Sequence, residues 1–368
     1  MRVVFAGTPQ VAVPVLDALA ESEHELVGVL TRPDAPQGRK RVLTPSPVAA
    51  RAAELGVETV KASRLRGERG TGSDGTETHG VGLADRLTAW QADVVVVVAY
   101  GALVPAELLA MPTLGWLNLH FSDLPAYRGA APVQWAMIEG RTRLDAVVFQ
   151  LETGLDTGPV FDAVTHELNP GETAGEALEA LAQAGGPLVT RVLDTLAAGT
   201  ATAVPQTGEV SHAPKLSLTD ALIDPARDAT AVAAHLNGVT PEPGAWGWLR
   251  GTTPSTPGQP EPPTIAPTRL KLRGALPSNE DELPAAVAHA QPGTVLLEAR
   301  EAWLRTAPGA VRISELQPAG KPMMVAADYL RGAAQTPVLL SGSALAAHRE
   351  HTESPSRETV LPKGQARA

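Results

Sequence analysis

Cysteine is absent from the 368 residues of this sequence. Disulfide bonds, cysteine-ligated zinc, iron–sulfur clusters and thiol nucleophiles are therefore excluded. No apolar run reaches the roughly 18 residues that a membrane-spanning helix needs, and the first residues lack the regions of a secretory signal. These absences predict a cytoplasmic protein without a membrane partner. No cluster of residues has metal-ligand spacing, so we expect no metal site.

Basic residues are in the minority, since 30 Lys and Arg stand against 40 Asp and Glu for a net charge of −10. This balance argues against a surface coated with positive charge, but it allows one local basic patch that binds a polyanion. Hydrophobic residues make up 43% and charged residues 19%, an ordinary globular composition. The length favours two domains over one, since most domains have roughly 100–200 residues.

Strand-like and helix-like segments alternate over the first two hundred residues. The unbroken β-branched run Asp93–Tyr100 is typical of a central parallel strand covered on both faces. This alternation predicts an α/β fold with a doubly wound, mainly parallel (Rossmann-like) sheet. Further along, short β-like runs such as Thr294–Leu297 and Ala310–Ile313, separated by Pro and Gly, predict a small C-terminal β-barrel (OB-like) or an open sheet.

The composition also suggests the domain boundaries. We expect a catalytic domain over residues 1–203 and a second domain over residues 209–332. Residues 64–82 are rich in Gly, Thr and charge, which is typical of a mobile surface insertion. Residues 333–368 are mostly polar and aperiodic, so we expect a loose tail.

The turn Ala6–Pro9 follows the first predicted strand, where a dinucleotide-binding motif would be expected. It has one glycine where a dinucleotide fingerprint needs three, and Pro9 lacks an N–H donor. No phosphate-binding GxxxxGK[ST] motif occurs either. The sequence therefore disfavours NAD and P-loop nucleotide chemistry.

The stretch Asn118-Leu119-His120 follows the pattern of a parallel strand. Residues two apart in a strand point to the same face, so Asn118 and His120 are expected to project together. Ligand sites in open α/β sheets lie at the carboxyl ends of such strands. An amide donor beside an imidazole suits the oxyanion that develops when an acyl group is attacked. The alternative is that His120 is a buried core residue with a satisfied hydrogen bond.

A second stretch, Glu152–Gly158, sets Asp156 between glycines that allow a sharp turn and the approach of a ligand. An aspartate near a histidine can orient the ring and stabilise its imidazolium form. The alternative is a turn aspartate that caps its own backbone. Spacing alone does not bring Asp156 to His120.

Taken together in order and spacing, these motifs resemble the methionyl-tRNA formyltransferases of the folate-dependent formyltransferase superfamily. The pair Asn-x-His and Leu-Asp-Thr-Gly marks the superfamily, and the Arg-Gly-Ala-Ala-Pro and Gln-Pro-Ala-Gly-Lys motifs narrow it to the tRNA enzymes. The likeness spans about residues 1–332. The segments that carry it are Ala6–Pro9, Tyr100–Pro105, Asn118–His120, Ser122–Pro125, Arg128–Pro132 with Gln134, Gly154–Gly158, His212–Leu216, Pro243–Trp246 and Leu316–Lys321.

The resemblance implies transfer of the formyl group of 10-formyltetrahydrofolate to the α-amine of methionyl-tRNA (initiator), for translation initiation. Protonated His120 and Asn118 would stabilise the oxyanion, and Asp156 would hold the imidazolium. The charged initiator tRNA and the folate donor are the expected partners, the C-terminal domain is expected to bind tRNA, and no protein partner is evident. The implied residues are Asn118, His120 and Asp156 for catalysis, Ser122, Asp123, Leu124 and Pro125 for the folate, and Arg39, Lys40 and Arg41 for tRNA.

The sequence departs from the family pattern in several places. Asp123 stands where the family usually has Leu, Tyr127 replaces a common Trp, and the 64–82 insertion has no counterpart. Acidic residues are at least as frequent as basic ones after Glu209, which leaves open how strongly the C-terminal domain binds tRNA. Three cations in a loop are otherwise usually a solvated surface.

Three other functions stay open at this point. A formyltransferase acting on a small amine would share the catalytic residues but lack the C-terminal motifs. A 10-formyltetrahydrofolate hydrolase would differ only by releasing free formate. A non-catalytic RNA-binding relative would need a vestigial site, although all three catalytic residue types are present.

Overall fold

The computed structural model describes residues 1–38, 40–65, 81–249, 268–333 and 336–341. The chain forms two compact units: Met1–Ala221 with Ala234–Ala245, and Leu222–Ala233 with the chain from Trp246 onward. The functional limits 1–203 and 209–332 remain predictions. Arg39, most of the 64–82 insertion and residues 342–368 of the expected tail lie outside the described residues.

The first unit is built around a large sheet. Its strands are β1 (Arg2–Gly7), β2 (Glu25–Thr31), β3 (Ala35–Gln37), β4 (Val42–Thr44), β5 (Thr59–Lys61), β6 (Val94–Val98), β7 (Trp116–His120), β8 (Arg128–Gly129), β9 (Arg143–Gln150), β10 (Val160–Glu167) and β11 (His212–Ala213). Seven of them form a sheet in the order β10-β9-β7-β6-β1-β2-β5. The pairs from β7 to β5 are parallel, whereas β9 is antiparallel to both β7 and β10. The predicted doubly wound, mainly parallel sheet is confirmed.

Helices cover this sheet, and local sequence signals start two of them. Ser46 caps α2 by accepting a hydrogen bond from the Ala49 N–H at 3.0 Å, and Thr173 with Glu176 forms a capping box at the start of α6. The helix α3 was not predicted from the sequence. The α-helices of this unit are α1 (Val13–Ala20), α2 (Pro47–Glu54), α3 (Val81–Ala89), α4 (Ala106–Leu109), α5 (Pro132–Ile138) and α6 (Ala174–Ala197), and α7 (Ala229–Gly238) contributes to both units.

The valines of β6 show why the central strand is apolar on both sides. All five are buried. Val94, Val96 and Val98 belong to a cluster with residues of α1 and α6, while Val95 and Val97 belong to a second cluster with residues of α3. The unbroken apolar run therefore reflects a strand enclosed on both faces, as the sequence predicted.

The second unit is an antiparallel β domain. Its elements are β12 (Trp246–Leu249), β13 (Thr268–Ser278), α8 (Ala285–Ala288), β14 (Val295–Glu298), β15 (Glu301–Arg305), β16 (Ala310–Pro318), β17 (Met324–Val325) and α9 (Ala326–Arg331). The strand order is β12-β13-β16-β15-β14, with β17 beside β16. This arrangement matches the predicted small β domain.

Residues 338–339 join the two edges of this sheet. Leu339 pairs with Leu249 at the end of β12, and Val338 pairs with Thr294, which precedes β14. These residues lie in the stretch 333–368 that we expected to be a loose tail. Here the backbone hydrogen bonds of two sheet edges hold the chain, so this part of the stretch is ordered.

Candidate active site

Strand β7 presents Asn118 and His120 on one face of the sheet. Leu117 and Leu119 pack into the cluster formed with α6, whereas Trp116 packs into the cluster on the opposite face. Because alternate residues of a strand share a face, Asn118 and His120 lie on the side of Trp116, away from α6. The predicted common face of the two polar residues is therefore what the structure shows.

His120 is buried, and only 6% of its surface is exposed. Its Nε2 lies 3.1 Å from the backbone oxygen of Tyr127. A carbonyl oxygen only accepts, so Nε2 carries the proton and donates it. The ring meets Phe149 edge to face, with the ring centroids 6.3 Å apart. Among the described residues, Nδ1 has no hydrogen-bond partner, which leaves its lone pair free for a substrate.

The protonation of His120 at rest is determined by opposing effects. Burial lowers the pKa of His120 below its ordinary value of 6.5, while the charge of Asp156 and the Tyr127 carbonyl act in the opposite direction. Burial is the largest of these effects, because a low-dielectric surrounding disfavours the charged ring. The imidazole is thus neutral at rest, and the imidazolium expected from the sequence would form only when the ring takes a proton during the reaction.

The loop between β9 and β10 brings Asp156 into the surroundings of His120. Leu151 donates its N–H to the Trp116 oxygen at 2.7 Å, so the loop starts beside β7. The Asp156 carboxylate accepts the Gly129 N–H at 2.9 Å, and its charge acts on the His120 ring. Asp156 therefore accepts a hydrogen bond from the segment that contains Gly129. A turn aspartate that only caps its own backbone would not make this contact.

The predicted folate segment lies partly in the core. Ser122 and Pro125 are buried, Leu124 is half-buried and Asp123 is exposed. The Ser122 hydroxyl donates to the Ala126 oxygen at 2.7 Å. This segment therefore offers only Asp123 and Leu124 as accessible side chains.

A groove of about 410 Å³ borders this segment, within the size range of small-molecule sites. Leu124, Val147, Phe161 and Gln206 are among its lining residues. Val147 is the direct cross-strand neighbour of His120, and directly opposed residues of an antiparallel pair share a face. The groove thus adjoins the face that carries His120.

Tyr127, which replaces a common family Trp, has two roles here. Its backbone accepts from His120, while its hydroxyl donates to Glu139 at 2.6 Å and accepts from Arg141 at 3.3 Å. Burial, together with the Glu139 carboxylate, raises the pKa of the Tyr127 hydroxyl. The phenol therefore stays protonated and anchors the segment after β7.

The predicted tRNA-contacting loop is a short hairpin. β3 and β4 pair antiparallel with Gln37 opposite Val42, and Lys40 and Arg41 are exposed in the turn. Arg39 lies outside the described residues. At the base of the hairpin, Arg32 donates to the Gly101 oxygen at 3.0 Å. The hairpin is thus connected to the Tyr100–Pro105 loop.

Gln206 is a residue that sequence reasoning missed. Its amide reaches the backbone of the Asp156 loop at 2.8 Å. It sits in a short polar stretch beside a proline, with no motif that marks it. Only the three-dimensional neighbourhood of Asp156 reveals it.

Two further properties concern the described residues as a whole. Within them, no group of three or more His, Asp or Glu side chains could hold a metal ion. In the same part of the chain, no helix combines the length and the apolar character needed to cross a membrane.

Comparison with known proteins adds the family. Residues 1–193 match the model described as formyl transferase, and residues 215–334 match the formyl transferase C-terminal domain. A methionyl-tRNA formyltransferase from Arthrobacter sp. (strain FB24) is 47% identical over 332 residues, 90% of this chain and 97% of the relative. One from Salinispora arenicola (strain CNS-205) is 45% identical over 334 residues, 90% of this chain and 97% of the relative.

A solved structure shares the fold. The crystal structure of HypX from Aquifex aeolicus in complex with tetrahydrofolic acid has a TM-score of 0.58 at 16% identity, and the match covers 92% of this chain and 50% of that chain. At such low identity the likeness concerns the fold alone. With family models matching both parts of the chain and relatives matched over nearly their full length, the chain belongs to the formyl transferase family.

Proposed function

We propose that this protein transfers the formyl group of 10-formyltetrahydrofolate to the α-amine of initiator methionyl-tRNA, giving N-formylmethionyl-tRNA. The names of the 45–47% identical relatives support this reaction. The observation that carries it is the arrangement around His120. Its Nδ1 has no hydrogen-bond partner in the part of the chain that the structure describes, Asn118 lies on the same face and the Asp156 charge is nearby. Such an activity serves translation and therefore belongs in the cytoplasm.

In this reaction His120 acts first as a base. As the amine nitrogen bonds to the formyl carbon, Nδ1 takes one proton from the amine. The carbonyl electron pair moves to the oxygen, where the Asn118 amide N–H donates a hydrogen bond. Asp156 stabilises the imidazolium that has formed. The imidazolium then returns its proton to N10 as the C–N10 bond breaks and the carbonyl re-forms.

The folate donor supplies the formyl group already activated on nitrogen. The HypX complex with tetrahydrofolic acid supports a folate ligand for this fold. In this chain, the groove beside His120 has apolar walls from Leu124, Val147 and Phe161 and polar groups from Asp123 and Thr207, which suits a flat, hydrogen-bonding ring system. We assign Asp123 and Leu124 to the folate, with Ser122 and Pro125 as their buried support.

We assign tRNA contact to Arg39, Lys40 and Arg41. Lys40 and Arg41 are exposed cations on a chain whose net charge is −10, so they form a local site for phosphates rather than part of a basic surface. The short β3–β4 pairing holds this turn away from the sheet core. We expect the C-terminal unit to add further tRNA contacts.

The test is formyl transfer from 10-formyltetrahydrofolate to charged initiator tRNA, with elongator methionyl-tRNA and a free small amine as comparison acceptors. We expect formylation of the initiator tRNA to dominate. Release of formate without an acceptor would instead identify a hydrolase. Equal rates with the small amine would identify a small-amine formyltransferase. Binding of the tRNA without any turnover would identify a non-catalytic relative.

A further inference from the structure

Residues 204–213, here called the strap, run past the catalytic segments of the first unit. At its start, Val204 exchanges two backbone hydrogen bonds of 2.8 Å with Val160 on β10. Near its end, Ser211 accepts the Tyr127 N–H through its hydroxyl at 2.8 Å, and β11 pairs with β8. The strap therefore connects the edge strand to the segment whose Tyr127 carbonyl accepts the hydrogen bond from His120.

Gln206 is a strap residue whose side chain turns inward. It is half-buried, while its neighbours Pro205 and Thr207 are exposed. Its Nε2 donates to the backbone oxygens of Asp156 and Gly158, each at 2.8 Å. Its Oε1 accepts from Arg128 Nη2 at 2.6 Å.

These partners determine the orientation of the amide. Backbone oxygens only accept and a guanidinium only donates, so flipping the amide would break all three hydrogen bonds. Both Nε2 protons are used on the loop. Gln206 thus bonds the loop through its Nε2 and Arg128 through its Oε1. The opposite amide orientation would satisfy neither partner.

The loop needs this support because its backbone is strained. Asp156 has a φ of +51°, a left-handed conformation that costs a non-glycine residue free energy. Its carboxylate is held by the Gly129 N–H, and its carbonyl by Gln206. Gly129 bonds Asp156 directly, and the adjacent Arg128 bonds Gln206. Both restraints on Asp156 therefore involve residues of β8.

We propose that Gln206 is a positioning residue for Asp156, which it holds in the left-handed turn that keeps the carboxylate at the Gly129 N–H, in the surroundings of His120. This inference rests on the proposed function, in which Asp156 supports the imidazolium. Gln206 touches neither the reacting atoms nor His120. Its role is to keep the carboxylate in place while His120 gains and loses a proton.

The first test compares Gln206→Met with Val210→Met in the full-length protein. Gln206→Met keeps the length of the side chain and adds no charge, but it removes both loop hydrogen bonds. We expect kcat to fall by about 10- to 100-fold, since small misplacements of catalytic groups have effects of that size. Val210→Met, which places the same side chain at an exposed strap position that does not line the groove, should keep the wild-type kcat. Equal and near-normal kcat values for both variants would overturn the proposal.

A second readout does not depend on catalysis. The His120 ring is titrated by NMR in the wild type and in both variants. Because the Asp156 charge raises the pKa of His120, displacement of the loop in Gln206→Met should lower that pKa further, while Val210→Met leaves it unchanged. An unchanged titration in Gln206→Met would overturn the positioning role even if its kcat fell. If the wild type formylates no tRNA but the titration shifts, the proposed function fails and the positioning role stands.

Two further variants test whether the Nε2 donors of Gln206 or its Oε1 acceptor support catalysis. Gln206→Glu restores an acceptor for Arg128 but places an oxygen against two backbone oxygens, so we expect no rescue of kcat relative to Gln206→Met. In an Asp156→Asn background, Gln206→Met should cause little additional loss, since both changes remove the same carboxylate function. Rescue by Glu, or losses that multiply in the double variant, would show that Gln206 acts by another route.

Discussion

The imidazole of His120 is buried against Phe149 and the Tyr127 carbonyl, and the charge of Asp156 lies nearby. Burial disfavours the charged ring, and the carboxylate partly offsets that effect. A ring that is neutral at rest but has a carboxylate nearby can take a proton and return it within one turnover. At the residue scale, the chemistry therefore depends on how completely His120 is enclosed.

We predict that Asn118→Ala lowers kcat by about 10²–10³-fold, the typical effect of losing one oxyanion donor. His120→Ala should lower kcat by about 10²–10⁴-fold, the typical effect of losing a general acid–base residue. Steady-state formyl transfer to initiator methionyl-tRNA measures the loss. Thermal unfolding of each variant is the control for folding. Near-normal turnover in a variant with the wild-type unfolding temperature would remove that residue from the catalytic assignment.

The lowered pKa of His120 also predicts how stability depends on pH. Between the lowered native pKa and the ordinary value of 6.5, the unfolded chain binds a proton that the native ring does not. The free energy of unfolding should therefore fall as the pH falls through this window, and it should be independent of His120 above it. His120→Gln replaces the ring N–H by an amide N–H but does not titrate. This variant should therefore lack the pH-dependent part of the unfolding free energy that comes from His120. Urea unfolding of both proteins from pH 7 downward measures the difference, and parallel curves would contradict the lowered pKa.

At the scale of elements, the β8–β11 pair joins the segment after β7 to the strap. Gly129 in β8 has a φ of +130°, and a Cβ there would lie 2.6 Å from the Ala213 backbone oxygen. Its N–H holds the Asp156 carboxylate. This two-residue pairing is thus possible only with glycine, and it contributes directly to the site.

We predict that Gly129→Ala lowers the free energy of unfolding by about 1–3 kcal/mol from backbone strain, with a further loss from the contact with Ala213, and that kcat falls. Gly140→Ala is the matched control. Its φ is +84°, but a Cβ there meets nothing within 4 Å, so it should show the strain alone and a normal kcat. Urea unfolding and formyl transfer measure the two effects. Indistinguishable variants would show that the β8–β11 contact is unimportant.

On the scale of the whole molecule, the net charge of the chain has the same sign as that of the proposed tRNA substrate. A net charge of −10 repels a polyanion at long range, so binding has to come from local cations that meet phosphates directly. The β3–β4 hairpin presents Lys40 and Arg41 in this way. Binding of tRNA by such a protein should be strongly sensitive to salt.

We predict that replacing Arg39, Lys40 and Arg41 by Gln raises KM for methionyl-tRNA and flattens its dependence on salt, because fewer counterions are released. The affinity for the folate donor should not change. Arg86→Gln, which removes an exposed cation paired with Glu58, is the control and should leave both quantities as in the wild type. A wild-type KM for the triple variant at low and high salt would assign tRNA recognition to other residues, with Lys215 and Lys321 as the next to test.

The sequence by itself determined the features that depend on neighbours along the chain. The β-branched run of β6 specified a strand buried on both faces, the cap at Ser46 started α2, and the two-residue spacing set Asn118 and His120 on a common face. The motifs in order identified the family. These signals are readable because periodicity and capping act over a few residues.

The tertiary structure alone decided how the site is assembled. Asp156 meets Gly129 across 27 positions of sequence, and Gln206 meets Asp156 across 50. No local pattern encodes such contacts. The same holds for the resting protonation of His120: burial, which has the largest effect on its pKa, is a property of everything packed around the ring and not of the residues beside it in the chain.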